Sequence, residues 1–372
     1  MLRVGIEASG LISGKALTGV KRYLLCLLEA LAAQAAAEQI QLHLYFIQPP
    51  RRAEPALVNL QPSRWLRWRI APFQRAWWRI GMGIAMQLDR LHVFHFPAPH
   101  MARFCPVPAV VTVHDLAALS LPPEQALKER RYLDDARDAA RRAAHLIAVS
   151  HNAADEVRRH LGLQATVIHE GVDAQRFQPA AEADIAAVRA QLGTARYVLC
   201  VGTLQQRKNQ LGLLRAFAQI QERVPHTLIL AGGEGSGAEA VKTYLAEHPQ
   251  VRAKWIGYVP ESQLTALYSG ADAFALPSFW EGFGLPVLEA MACGTPVLTS
   301  NCSSLAEIAN DAALLIDPHD ETALADALLR LLTDSALRER LRTAGKARAA
   351  QFTWSRAAQQ TLAIYRRAAR RA

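Results

Sequence analysis

The chain has 372 residues, about the length of two ordinary domains, and with 51% hydrophobic and 20% charged residues it is not disordered as a whole. Its 21 glycines and 19 prolines fall far short of collagen-like or low-complexity composition, and no apolar run approaches the ~18 residues that a membrane-spanning helix needs. A net charge of +9 implies a phosphate-bearing partner: nucleic acid, a nucleotide or an anionic membrane surface.

The chain opens on a strand-like run, Arg3–Ala8, with no signal-peptide core ahead of it, so a cytoplasmic location is expected. A loop with three glycines, Ala8 to Gly19, leads into a helix whose Val20, Leu24, Leu27, Leu28 and Leu31 share one face. The loop is not G-x-G-x-x-G, so the usual dinucleotide fingerprint is absent. Further strands are expected at Gln41–Ile47, Val93–Phe96, Ala109–Val113, His145–Val149 and Thr166–His169, with an amphipathic helix over 124–142. Between Arg51 and Arg103, nine arginines stand against Glu54 and Asp89, and Trp65, Trp68, Trp77 and Trp78 lie among them. The part over 64–79, where these tryptophans lie among Arg64, Arg67, Arg69, Arg75 and Arg79, reads as an interfacial anchor on anionic lipid, or as a helix with tryptophan in the core and arginine in water. His92, His95 and His100 lack the acidic or cysteine partners of a metal centre, and no metal is expected there. Cys26, Cys105, Cys200, Cys293 and Cys302 are widely spaced without C-x-x-C, as expected of free thiols.

A polar, proline-bearing stretch from Gly171 to Ala181 is the linker candidate, and beyond it the rhythm restarts. Strands are expected at Tyr197–Val201, Thr227–Ala231, Val251–Ile256, Ala273–Leu276, Pro296–Thr299 and Ala313–Ile316, with helices between. Strand–helix alternation argues for two doubly wound parallel sheets, whose strand C-termini would meet at one cleft. The final segment, 352–372, is helical with no strand after it.

Three segments carry candidate chemistry. Pro277 to Pro296 runs from a strand end through a glycine-containing loop into a helix with Pro286 in its first turn. Gly282 and Gly284 permit close backbone approach, and the helix start favours an anionic or polyhydroxylated group. Glu281 and Glu289, eight positions apart, are carboxylates suited to vicinal hydroxyls, though each could equally be a solvated surface charge. Gly202 to Asn209 places Arg207 and Lys208 at a strand C-terminus, where they can neutralise a diphosphate or simply open a helix. His114 ends the strand at Ala109–Val113, a position more often structural than catalytic.

Together these features resemble the retaining glycosyltransferases of family 4, in the GT-B superfamily. The resemblance rests on Glu281-x7-Glu289 in its Glu-Gly-Phe-Gly context, Gly202-Thr-Leu-Gln-Gln-Arg-Lys-Asn209, Gly171-Val-Asp173, Val113-His-Asp-Leu116 and Thr18-Gly-Val-Lys-Arg-Tyr23, in the family's order. It implies a GT-B fold: residues 1–175 form an acceptor-binding domain on which helix 352–372 packs back, and 176–351 form a nucleotide-sugar donor-binding domain. It implies that Glu289 holds the ribose hydroxyls and that Glu281, with amides near Phe283, Gly284 and Leu285, binds the transferred sugar. Arg207 and Lys208 would stabilise the leaving diphosphate, His114 would lie near the donor sugar, and Gly19 would let the first loop close over the phosphates. Thr203 stands where some relatives carry arginine, and Glu7 where many carry aspartate. Metal-independent transfer with retention is implied, with no cofactor beyond the donor. The variants look most like bacterial mannosyltransferases of surface-polysaccharide assembly, which points to GDP-mannose and a lipid-linked or oligosaccharide acceptor at the inner face of the cytoplasmic membrane. A nucleotide-sugar 2-epimerase of the same architecture and a non-catalytic sugar-nucleotide-binding protein are the rivals. Nucleic acid is not an expected partner, since no binding motif accompanies the basic patches.

Overall fold

A computed structural model describes residues 1–12, 19–50, 57–72, 76–116 and 123–370, of which 123–132 as backbone only. The chain forms two compact units. The first holds Met1–Gly171 and the terminal segment from Trp354, and the second holds Val172–Thr353. The first crossing thus falls within the expected linker but four residues before 176, and the return crossing comes two residues after 351.

The first unit is a seven-stranded sheet. Its strands are β1 (Leu2–Glu7), β2 (Ile40–Phe46), β3 (Leu66–Ile70), β4 (Val93–Phe96), β5 (Ala109–Val113), β6 (His145–Ala148) and β7 (Thr166–Val167). They lie in the order β3-β2-β1-β4-β5-β6-β7, and every pairing is parallel. All seven residues of β2 are buried, because helices cover both faces of such a sheet. The helices are α1 (Gly19–Gln34), α2 (Met82–Leu88), α3 (Pro123–Arg142), α4 (His151–Leu161) and, from the far end of the chain, α13 (Trp354–Ala369). Serine caps α4: Ser150 Oγ accepts from Ala153 N at 3.0 Å, and Gly162 closes the helix in the left-handed conformation.

α13 belongs to this unit through specific contacts. Tyr365 is buried, with its hydroxyl 2.6 Å from His95 Nδ1, and Trp354 meets the ring of Tyr23 edge-on at 6.0 Å. His95 completes its ring with Thr112 Oγ1, 2.8 Å from Nε2.

One strand was not anticipated. Leu66-Arg-Trp-Arg-Ile70 alternates apolar and charged residues with a period of two, which is the signature of an edge strand, and β3 occupies the sheet edge beside β2. Three of the four tryptophans pack against the unit, whereas Trp65 is partly exposed, with the Arg64 guanidinium 5.2 Å from its ring centre. Trp77 is buried and stacks on Tyr45 at 6.2 Å, Trp78 packs against the same core, and Trp68 lies against Phe46 with its indole N–H donated to Leu60 O at 2.9 Å. Arg75 lies outside the described residues.

The second unit repeats the plan with six parallel strands. They are β8 (Tyr197–Val201), β9 (Thr227–Ala231), β10 (Ala253–Trp255), β11 (Ala273–Leu276), β12 (Val297–Ser300) and β13 (Leu314–Ile316), in the order β10-β9-β8-β11-β12-β13. Its helices are α5 (Glu182–Leu192), α6 (Gln210–Ile220), α7 (Ala238–Glu247), α8 (Glu261–Ser269), α9 (Leu285–Ala292), α10 (Ser303–Ala309), α11 (Glu321–Thr333) and α12 (Ser335–Ala349). In both sheets the strand order reverses once, between β1 and β4 and between β8 and β11. Crevices at such reversals, beyond the strand C-termini, are where open parallel sheets bind ligands.

Candidate active site

In the second unit the two candidate segments leave the reversal side by side. β8 ends at Val201 and feeds Gly202 to Asn209, while β11 ends at Leu276 and feeds Pro277 to Gly284. The phosphate-candidate cations and the Glu281 loop, 73 and 74 positions apart in sequence, are therefore in contact. Lys208 Nζ donates to Glu281 Oε1 at 2.5 Å, and Arg207 Nη1 donates to Glu281 Oε2 at 2.5 Å and to Trp280 O at 2.9 Å. Ser278 Oγ donates to the same Oε1 at 3.1 Å.

Glu281 is only 6% exposed, so the solvated-loop alternative does not hold. Burial alone would raise its pKa, but the two cations outweigh burial and hold the carboxyl at about 2. One carboxylate between two cations leaves a net positive charge beside the strand ends. Lys208 is itself buried, whereas the guanidinium of Arg207 is about two-fifths exposed and reaches solvent.

The backbone explains why these residues meet. At Gly202 φ is +151°, and a Cβ there would lie 3.0 Å from Lys208 Cδ, so the lysine stem crosses the space a side chain would fill. Asn209 takes the left-handed conformation that asparagine tolerates, with φ 54°, and anchors itself by Nδ2 to Pro318 O at 2.8 Å. Gly232 packs so closely on Gly202 that a Cβ would fall 2.1 Å from its carbonyl oxygen. Thr203 is exposed, and its carbonyl accepts from Gln210 Nε2 at 3.0 Å.

On the other side, Gly284 sits at φ +110° and starts α9, where Pro286 fills an early position that needs no amide donor. The side chains of Phe283 and Leu285 are buried, with the Phe283 ring edge-on to Phe352 at 6.0 Å, so what they can offer a ligand is main chain. Glu289 lies within α9 at 2% exposure, which excludes a helix-surface charge, and Tyr268 donates to its Oε2 at 2.8 Å.

Serines that the motif reading passed over hold this loop in place. Ser304 Oγ shares its one proton between the carbonyls of Glu281 (2.7 Å) and Phe283 (2.9 Å), and Ser300 Oγ donates to Ser278 O at 2.6 Å. The signal was the polar run Ser300-Asn-Cys-Ser-Ser304 directly after a strand.

The first unit's candidates are arranged differently. His114 follows β5, and its Nε2–H donates to Pro97 O at 2.9 Å, while Nδ1 faces Glu170 Oε1 at 3.5 Å. Burial disfavours the charged ring, yet Glu170 and the Pro97 carbonyl prevail and leave its pKa raised above 6.5. Glu170 is buried too, and desolvation lifts its own pKa above 4.5. With both ring nitrogens turned to the protein, His114 is a fixed group rather than a free acid or base. Gly19 opens α1 with no atom within 4 Å of where a Cβ would be. The loop it terminates lies largely in 13–18, outside the described residues. Glu7 is buried at the end of β1 and accepts from Ser9 N at 2.8 Å. Of the three histidines considered for a metal, His95 spends both nitrogens on Tyr365 and Thr112, and His92 Nδ1 accepts from Arg3 N at 2.9 Å.

Comparison with known proteins places this geometry. Residues 183–348 match the family model for glycosyl transferases group 1, and residues 17–176 match that for glycosyltransferase family 4. The chain belongs to the family 4 glycosyltransferases, with the GT-B fold. It is 32% identical to O-antigen chain mannosyltransferase B of Escherichia coli, over 94% of this chain and 96% of that one. Among solved structures it is similar to sucrose-phosphate synthase from Thermosynechococcus elongatus, with a TM-score of 0.79 and 24% identity over 99% of both chains. It is also similar to Anabaena HepE in complex with UDP and glucose, with a TM-score of 0.75 and 20% identity over 98% of this chain and 99% of that one.

Proposed function

We propose that this glycosyltransferase moves mannose from GDP-mannose, with retention and without a metal, to a lipid-linked or saccharide acceptor at the inner face of the cytoplasmic membrane. The observation that carries the donor side is the buried Glu281 gripped by Arg207 and Lys208 at the β8/β11 reversal. The mannosyl assignment draws on the full-length similarity to the E. coli mannosyltransferase.

In this reading Glu289, oriented by Tyr268, takes the ribose hydroxyls. Glu281, fixed by its two cations and Ser278, takes hydroxyls of the transferred sugar, and the main chain from Phe283 to Leu285 contributes amides. Arg207 and Lys208 share their charge with the diphosphate and stabilise it as the anomeric C–O bond breaks, a preorganised electrostatic contribution. The acceptor hydroxyl attacks the same face of the sugar and gives its proton to the departing phosphate oxygen, so no protein base is required. The first unit is assigned to the acceptor, and its His114 and Gly19 keep the roles that the resemblance implies.

Thermal melting with saturating GDP, UDP or ADP, in EDTA and then with Mg²⁺, tests this. A ligand at about 100 times its Kd stabilises by about 2.7 kcal/mol, which raises the Tm of a domain of this size by about 5–10 °C. A GDP-selective shift that survives EDTA is the expected result. Selectivity for UDP or ADP overturns the mannosyl assignment, and no shift with any nucleotide overturns the donor site.

A further inference from the structure

Trp68, Trp77 and Trp78 of the basic stretch pack inward, but the helical segment that begins at Trp77 presents an apolar face to solvent. Residues 77–88 form one continuous helical segment, a π-helical turn over Trp77–Gly81 running into α2. One side supplies Trp77, Met82, Ala85 and Met86 to the core. The other presents Ile80 (53% exposed), Ile84 (47%) and Leu88 (74%) at i, i+4 and i+8, a stripe of large aliphatics along the outer face.

Phe104 extends the stripe. Its backbone N donates to Arg79 O at 3.1 Å, its ring fills the space over Gly83, and it too is partly exposed. Arg79, Arg90 and Arg103 are exposed around the same segment, and Arg103 N is tied to Trp78 O at 2.9 Å. From Leu57 to His114 the sequence contains one acidic residue, Asp89, and that carboxylate is buried and held by Arg69 and Tyr45. Aliphatic side chains ringed by arginines, with the exposed Asp138 nearby paired to Arg142, match the boundary between acyl chains and anionic headgroups.

We infer that Ile80, Ile84, Leu88 and Phe104, flanked by Arg79, Arg90 and Arg103, form the surface by which this protein sits on an anionic lipid bilayer. The aliphatics enter the acyl boundary and the guanidinium groups pair with lipid phosphate. The inference deepens the proposal of a membrane-presented acceptor, assigns the contact to the helical segment that begins at Trp77, and is independent of the donor site.

The test is co-sedimentation of the full chain with vesicles of phosphatidylglycerol and phosphatidylcholine, against phosphatidylcholine alone. Binding is expected to the anionic vesicles only, weakened at about 0.5 M NaCl. Ile80→Ser/Ile84→Ser/Leu88→Ser should lower the vesicle affinity about ten-fold or more, since each change removes apolar surface from the acyl boundary. Arg79→Glu/Arg103→Glu should do the same at low salt, whereas Leu315→Ser in the second unit should leave binding unchanged. Absence of binding by the parent chain, or full binding by the triple variant, overturns the inference. So does light scattering that shows a dimer abolished by the triple variant, because the stripe is then a self-association face. Nucleotide melting shifts separate the two proposals: a parent chain that shifts with GDP but ignores vesicles fails this inference alone, and one that binds vesicles but never shifts fails the donor reading alone.

Discussion

The two sheets are built on one plan, yet Glu7 and Glu170 of the first and Glu281 of the second, all deeply buried, shift in opposite directions. Asp89 of the first unit, gripped by Arg69, is lowered as Glu281 is. In the first unit Glu7 and Glu170 have raised pKa values, because burial outweighs the partners within reach. In the second unit Glu281 is as deeply buried and is held at about 2, because a lysine and an arginine each donate to it. Depth alone does not decide ionisation; the number of full cations in contact does. The second unit thus keeps a fixed, charged cluster at its strand reversal, while the first keeps a network of shared hydrogen bonds among His95, Thr112, Tyr23 and Tyr365.

The sharpest way to break this contrast is Glu281→Gln. It keeps the shape but removes the charge that orders Arg207 and Lys208, and glycosyl transfer should fall about 10²–10³-fold in kcat with a smaller effect on nucleotide affinity, measured by initial rates and melting shifts. Next in size is Lys208→Met, which strips a buried cation from a buried carboxylate and should cost about 3 kcal/mol of stability, read as a lower Tm at pH 7. The same variant should be less sensitive to acid. Glu281 stabilises the parent chain fully above about pH 4.5, and that contribution is lost as pH falls towards 2, the depressed value its cations maintain. The smallest effect belongs to Glu170→Gln in the first unit. His114 is raised above 6.5, so its charged form stabilises the fold fully below that pH and less as pH climbs through the raised value. Without the Glu170 carboxylate the ring should lose its proton at lower pH, which ¹⁵N chemical shifts of the His114 imidazole would follow directly.

Much of this was legible in the sequence, for physical reasons that differ from place to place. Strands buried on both faces announce themselves as apolar runs, and Ala109–Val113, Tyr197–Val201, Thr227–Ala231 and Ala273–Leu276 match the expected bounds to the residue. β3 was hidden because an edge strand half in water mixes arginine with tryptophan, and the same mixture suits an interfacial helix. Arg207, Lys208, Glu281 and Glu289 could be singled out by residue type and spacing, but strand order is what puts β8 next to β11, and no local pattern encodes it. Tyr268, Ser278, Ser304 and Glu170 were passed over because a lone hydroxyl or carboxyl has no signature until its partner is known.

His95 waits long for its last hydrogen-bond partner. The hydroxyl that closes on its Nδ1 belongs to Tyr365, 270 positions downstream, and Trp354, which meets Tyr23, follows directly on the second unit. During synthesis the second unit has all of its residues before α13 exists, while β1, β4 and β5 have long since been made and still lack the helix that covers them. Chains usually complete their domains in order from the N-terminus. Here the unit that the ribosome begins first is finished last.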